Sequence, residues 1–410
     1  MNNMKIIEIN NVRIAPPYGI TIEFAVGDEL EQYFKTNIFQ IEYSVDILDV
    51  PYGLAVIPFV CNVLPIVWLT DATLYLDELD EDFYNCVEKL KQGYREIYPN
   101  IQFKGKIECK KIRYEREECN QRSLVFFSGG VDAFATLIAH IDECPTLFSI
   151  CGADVKLANK TGWNTVMKQI KEVSDNFKLS AIQCYSNFRE FIDEEKLCEL
   201  VADLGAKDDY WHGFQHGIGL IGHAVPLAYL YGYKKNYIAS SYTIRERGIC
   251  TCASDPRIDN NMRFCDSKVC HDQFEYNRQE KIQHIVEYCR KNNVNVKLRV
   301  CWITDSGNNC CTCEKCIRTI CGILAEKEDP MNYGFYDVNL LKLKCLLKYK
   351  IRIADILLPL WGDIINRLNE QEKGSTEIEW LRGYNVEKLK NNQIKRALAY
   401  FKSIKKRIKL

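Results

Sequence analysis

The 410-residue chain has almost no net charge, with 54 Lys and Arg against 55 Asp and Glu, a formal balance of −1. Without a global basic field, bulk attraction to nucleic acid or to an anionic membrane is not its default mode of action. Proline (11) and glycine (22) are too few for a collagen-like or linker-dominated chain. No internal repeat or low-complexity segment is visible. With 47% apolar and 27% charged residues, the composition excludes a disordered chain. Met1–Ile14 alternates polar and apolar residues, with no apolar core and no small-residue cleavage site, so no secretory leader is read there and a cytoplasmic protein is expected. The uncharged run Pro51–Thr70 has the length of a membrane span, but Pro51, Pro58, Asn62 and Pro65 interrupt it. Each internal proline removes a helical hydrogen bond, so two short buried strands or loops are expected, with no membrane association.

Cysteine, by contrast, is plentiful: 20 residues, of which Cys250, Cys252, Cys265, Cys270, Cys289, Cys301, Cys310, Cys311, Cys313, Cys316 and Cys321 fall in one stretch. In a large chain of a reducing compartment, such clustering points to metal or chemistry rather than to bridges.

The length suggests two or three domains. Residues 1–120 read as a small α+β unit with strands at Lys5–Ile14, Ile20–Ala25, Ile38–Leu48, Ile66–Leu76 and Gln102–Tyr114 and a helix at Asp82–Tyr98. No catalytic constellation is seen in it; packing or oligomerisation is its expected role, and a homodimer is left open. Residues 121–330 alternate strands (Leu124–Phe127, Leu147–Cys151, Ser180–Tyr185, Tyr237–Ser241, Val296–Ile303) with helices (Ala133–His140, Lys160–Phe177, Trp211–Tyr231, Gln279–Asn292). That alternation predicts an α/β fold with a doubly wound parallel sheet. Residues 331–410 read as a basic helical region, helical at Leu340–Tyr349 and Ile351–Leu368. In Lys388–Leu410 an apolar stripe of Ile394, Leu398, Phe401, Ile404 and Ile408 predicts a packed helix with a solvated basic face; a surface for RNA, an anionic substrate or a partner is the alternative.

Two motifs carry chemistry. In the first, an apolar strand runs into Ser128-Gly129-Gly130-Val131-Asp132-Ala133 and out into a helix. Two glycines allow a sharp turn and close approach of a phosphate to the backbone. The N–H groups that open the helix have no intrahelical partner and attract an anion. Ser128 adds a hydroxyl, and Asp132 beside a phosphate is most useful as a Mg²⁺ ligand. In the second, Cys301, Cys310, Cys313 and Cys316 follow the spacing C-x8-C-x2-C-x2-C. Four thiolates at about 2.3 Å make a closed tetrahedral Zn²⁺ site with no open position for catalysis. Cys311 in place of Cys310, an iron–sulfur cluster and a redox dithiol remain alternatives. Cys250, Cys252, Cys265 and Cys270 read as incidental thiols of a loop.

The loop resembles the PP-loop ATP pyrophosphatases (the adenine nucleotide alpha-hydrolase-like fold), whose motif reads SGGxDS. Ser128, Gly129, Gly130 and Asp132 match, and Ala133 stands where the family has a second Ser, losing one hydroxyl contact. Together, the loop and the cysteine spacing resemble the 7-cyano-7-deazaguanine synthase (QueC-like) family over about residues 121–325. The terminal extensions are similar to those of longer members from bacterial antiphage systems. The resemblance implies an ATP-dependent ligase using ATP, Mg²⁺ and Zn²⁺. A 7-carboxy-7-deazaguanine carboxylate attacks the α-phosphate and releases pyrophosphate, and an amine then displaces AMP. The amine is ammonia, en route to the nitrile of queuosine biosynthesis, or an amine of a protein partner. Arg245, Arg247, Asp255, Asp259 and Arg263 lie where the family binds its substrate, although the family's sequence is not reproduced there. Asp154, Trp211, His212 and His216 are further candidates: an acid near the nucleotide, an aromatic that stacks on a purine, and two histidines read first as core residues. Two other classes stay open, a catalytically silent nucleotide-binding scaffold and a tRNA-thiolating enzyme, which would need a catalytic cysteine outside the four-cysteine set.

Overall fold

A computed structural model describes residues 5–16, 19–114, 122–247, 249, 251–336, 338–340, 343–351, 353–372, 375 and 377–389. The strands are β1 (Ile6–Ala15), β2 (Gly19–Val26), β3 (Ile38–Tyr43), β4 (Thr73–Asp80), β5 (Lys106–Ile112), β6 (Arg122–Phe126), β7 (Thr146–Cys151), β8 (Ala181–Ser186), β9 (Tyr233–Ala239), β10 (Arg263–Phe264) and β11 (Ser267–Asp272). All eleven form one sheet in the order β10-β11-β9-β6-β7-β8-β3-β2-β1-β4-β5. The stretch β11-β9-β6-β7-β8 is parallel throughout. From β6 the chain winds outward through β7 to β8, then returns to the other side of β6 with β9 and β11. The expected α/β architecture is present, and β6 ends at the point where the winding reverses, where such sheets open a crevice for ligands.

The sheet does not stop at the boundary expected near residue 120. β3 pairs antiparallel with β8 through Ile41–Ser186, Glu42–Tyr185 and Tyr43–Cys184, so the N-terminal strands extend the central sheet.

The α-helices up to residue 325 are α1 (Tyr52–Ala55), α2 (Ile57–Thr70), α3 (Glu81–Ile97), α4 (Val131–Ala139), α5 (Lys160–Phe177), α6 (Glu194–Asp203), α7 (His216–Gly222), α8 (Val225–Tyr231), α9 (Pro256–Asp259), α10 (Arg278–Asn292) and α11 (Glu314–Ala325). The run Pro51–Thr70 is therefore helical, not the strands or loops expected. Pro51 precedes α1 and Pro58 sits in the first turn of α2, where a missing N–H costs nothing; only Pro65 is interior. All fourteen residues of α2 are buried, and that burial outweighs the modest helix propensity of Val and Ile. Asp71, at φ 56°, ends the helix, so the strand expected from Ile66 begins only at Thr73. No helix among the described residues is long and apolar enough to cross a membrane.

Trp211–Tyr231 is not one continuous helix: a π-helical turn at Trp211–Gln215 leads into α7, and a break at His223–Ala224 separates α7 from α8. Gly219 and Gly222 let α7 press on α2. A Cβ at Gly219 would stand 2.6 Å from Asn62 Oδ1, and one at Gly222 2.8 Å from Cys61 Cβ. Val296–Ile303 forms no strand. Its backbone bonds elsewhere: Arg299 N–H donates to Gly129 O at 2.7 Å, Leu298 N–H to Tyr333 O at 3.0 Å, and Val300 N–H to Asn309 Oδ1 at 2.9 Å. Past residue 331, a helix spans Leu358–Asn369 and Leu343–Lys350 is helical. The apolar stripe expected over Ile394–Ile408 lies outside the described residues.

Candidate active site and metal centre

β6 is buried over Ser123–Val125 and delivers the chain to Ser128 at the carboxyl edge of the sheet. Gly129 turns there with φ +77°, a left-handed conformation that favours glycine. Gly130 is the N-cap of α4, and no side chain caps the helix. The opening N–H groups of α4 thus keep their capacity for an anion. Ser128 Oγ accepts weakly from Gly130 N–H at 3.4 Å. A cavity of about 260 Å³ opens beside this turn, lined by Ser128, Gly130, Asp132 and Ala133.

Three cations that the sequence did not single out line the same cavity: Arg278, Arg299 and Lys315. Arg278 comes from the start of α10, whose N-cap Asn277 fixes its first turn. Arg299 is held against the loop by its main chain and by Nε donating to Ser128 O at 3.1 Å. Lys315 lies between Cys313 and Cys316. Burial and the nearby Arg278 charge push its amine below the ordinary lysine value. Crowding of like charges around one cavity is the arrangement an anionic ligand relieves.

Asp132 faces this group. Its Oδ2 accepts from Arg278 Nη1 at 2.6 Å, and Oδ1 stands 3.5 Å from Lys281 Nζ. Burial works against the carboxylate, but Arg278, Lys281 and Lys315 outweigh it and hold the group below its usual range. Lys281 is itself buried and donates to Ser240 O at 2.6 Å. Asp132 Oδ1 accepts no hydrogen bond. Asp154 also lines the cavity, and it is exposed with no ion pair among the described residues. Because Asp132 Oδ1 is buried, Asp154 is the accessible carboxylate a divalent cation could meet in this cavity.

Trp211 and His216 line the cavity as well, as Trp302 does. The five substrate candidates do not. Arg245 is exposed and pairs with Glu280 at 3.6 Å, and Arg247 lies 5.4 Å from the Phe274 ring centroid. Asp255 caps α9 and binds Arg257 at 2.8 Å. Asp259 is fully buried, bonded to His271 Nδ1 at 2.8 Å and Ser254 Oγ at 2.7 Å. Arg263 donates to the carbonyls of Asn260 and Met262 at 2.8 and 2.7 Å. Their local partners hold them away from the loop.

Cys301, Cys310, Cys313 and Cys316 converge, with all four sulfurs within 4.8 Å of one another. Cys310 and Cys316 Sγ are 3.9 Å apart. Zn–S bonds of about 2.3 Å in a tetrahedron give an edge of about 3.8 Å, so the spacing fits a single ion. Cys313 N–H donates to Cys310 Sγ at 3.3 Å and Cys316 N–H to Cys313 Sγ at 3.4 Å, so the turn supplies its own amide donors to thiolates. Cys313, hydrogen-bonded by Cys316, is drawn down to about 5, while Cys316 is pushed up by the same contact. Cys311 turns away at φ +51° and lies outside the set. Cys313 also caps α11, so a metal there would anchor that helix and Lys315.

Of the second cysteine group, Cys252 and Cys265 are buried, Cys270 is partly buried, and Cys250 lies outside the described residues. Cys252 is not incidental: His216 Nδ1 is 3.9 Å from its sulfur. Comparison with protein-family models and with curated proteins found no match to this chain.

Proposed function

We propose that the chain is an ATP-dependent ligase that adenylates the carboxylate of a 7-carboxy-7-deazaguanine-type substrate and transfers the acyl group to an amine. Ammonia or an amine of a partner protein is the acceptor. The observation that carries this reading is the convergence of Arg278, Arg299 and Lys315 on the cavity beside the open N-terminus of α4. Uncapped amides hold the β- and γ-phosphates, and the cations offset charge that builds as the bridge between the α- and β-phosphates breaks. Adenylation replaces hydroxide, a poor leaving group, with AMP. Mg²⁺, met by the exposed Asp154, would supply further charge neutralisation. The four-cysteine set holds Zn²⁺ in a structural role, all four positions being protein sulfur.

The test is pyrophosphate and AMP release by the full chain with ATP, Mg²⁺ and 7-carboxy-7-deazaguanine, with and without ammonium. Product mass distinguishes amide or nitrile from a modified partner protein. Arg299→Ala should lower pyrophosphate release by roughly 100-fold, the scale of a lost transition-state contact. Ala133 lines the cavity where the family motif has a hydroxyl, which favours a second reading, a nucleotide-binding scaffold. ATP binding without pyrophosphate release under any of these conditions would decide for it.

A further inference from the structure

Beyond His216, a second constellation adjoins the cavity. The π-helical turn Trp211–Gln215 is closed by His216 N–H donating to Trp211 O, and this wider turn brings His212 and His216 to one thiol. His216 Nδ1 lies 3.9 Å from Cys252 Sγ, and the His212 imidazole also acts on the thiol. Ser254 N–H donates to the same sulfur at 3.4 Å. His212 Nδ1 is 3.8 Å from Asp208 Oδ1, and Tyr242 Oη is 3.4 Å from His212 Nε2. Asp208 Oδ2 accepts from Tyr98 Oη at 2.9 Å and from Thr251 Oγ1. The order outward from the cavity is His216, Cys252, His212, Asp208: a thiol with a base, a second imidazole and an orienting carboxylate.

The surroundings set this thiol apart. Burial drives the Cys86 thiol up to about 12 and raises Cys61 and Cys184 as well. Cys252 is equally enclosed, 6% exposed, yet its two histidines overcome that burial and bring it down to about 6. Around this buried sulfur stand the partly buried His216, His212 and Asp208, and a thiolate so poised is a chemical device.

We propose that Cys252 is a nucleophile that takes the acyl group from the adenylate and passes it to the amine. The proposal rests on the adenylation reading above. The thiolate sulfur attacks the acyl carbon, the carbon–oxygen bond to AMP breaks, and AMP leaves with the electron pair, giving a thioester. His216, which lines the cavity and lies 3.9 Å from the sulfur, holds the thiol's proton during the transfer. The amine then attacks the thioester carbonyl, the carbon–sulfur bond breaks to restore the thiolate beside protonated His216, and the proton lost by the amine leaves to solvent. No oxidant or reductant is needed.

The experiment is rapid acid quench of the full chain with ATP, Mg²⁺ and 7-carboxy-7-deazaguanine in the absence of amine, followed by intact-mass and peptide mapping. Pyrophosphate is measured in the same samples. The expected result is an adduct of the acid less one water on Cys252, released by hydroxylamine. Cys252→Ser should slow amide formation by roughly 100-fold or more, the scale on which a missing catalytic group is felt. It should also leave any adduct resistant to hydroxylamine. Pyrophosphate release in these samples, and amide formation once ammonium is added, with no acyl on Cys252 of the natural chain would overturn the thioester and leave adenylation standing. An adduct on one of the four clustered thiols, or a persulfide on Cys252, would overturn it too. No pyrophosphate at all would sink both readings. The mapping uses the natural sequence, so it decides even if Cys252→Ser does not fold.

Discussion

Gly129 adopts a φ that costs an L side chain about 1–2 kcal/mol. A Cβ there would meet Arg299 Cβ only at 3.5 Å, so strain rather than collision sets the cost. Gly129→Ala should therefore lose about 1 kcal/mol in urea unfolding and weaken ATP binding in calorimetry. Asp132→Asn has a different signature. It leaves Arg278 and Lys281 without their carboxylate, at a cost of about 3 to 5 kcal/mol. Because the folded carboxyl is held below its ordinary value of about 3.9, that stability is whole above this pH and is lost as pH falls through the folded value. Urea midpoints of the natural chain and Asp132→Asn should converge in strong acid. His223 acts at milder pH. Burial pushes it down to about 4, with Nδ1 on Gly219 O at 2.7 Å and Nε2 on Ser186 Oγ at 2.9 Å. Between about 6.5 and that value the unfolded chain binds a proton the folded chain refuses. Stability should fall over this window by up to roughly 3 kcal/mol, and His223→Gln should flatten the slope.

At the scale of elements, legibility followed sequence distance. The Ser-Gly-Gly turn and the cysteine spacing are local statements, and both elements form where the chain spells them. The cations were illegible because their partners are remote: Arg278 meets Asp132 across 146 residues, and Arg299 meets Ser128 across 171. Arg299 was hidden further inside a segment that reads as a strand but spends its hydrogen bonds on the loop. Lys315 did carry a signal, since a residue between Cys313 and Cys316 is placed wherever the four-cysteine set is placed. The Pro51–Thr70 run misled because proline was counted as a breaker without regard to its position in a helix. One zinc per chain should be released by thiol-modifying reagents, and Cys313→Ser should abolish it. The same variant should weaken nucleotide binding, because it frees the turn that carries Lys315.

Across the whole molecule, the expected division near residue 120 has no counterpart in the packing. Gln215 Nε2 donates to Asn62 Oδ1 at 2.8 Å, Tyr94 Oη to Phe214 O at 2.6 Å, and Phe39 packs on Phe191 with ring centroids 5.1 Å apart. A fragment beginning at residue 122 should therefore aggregate, because it uncovers the β8 edge and the face of α7 together. Soluble yield, compared with that of the full chain, checks this.

The seating of α2 on α7 also bears on how the molecule is made. Asn62 finds the carbonyl of Gly219 across 157 residues. At roughly 5–20 residues per second, a ribosome exposes the oily helix for about 8 to 30 seconds before its seat has been synthesised. The nascent protein thus passes through an interval in which its stickiest surface is bare, and its yield in a cell should follow the supply of chaperones that bind emerging chains.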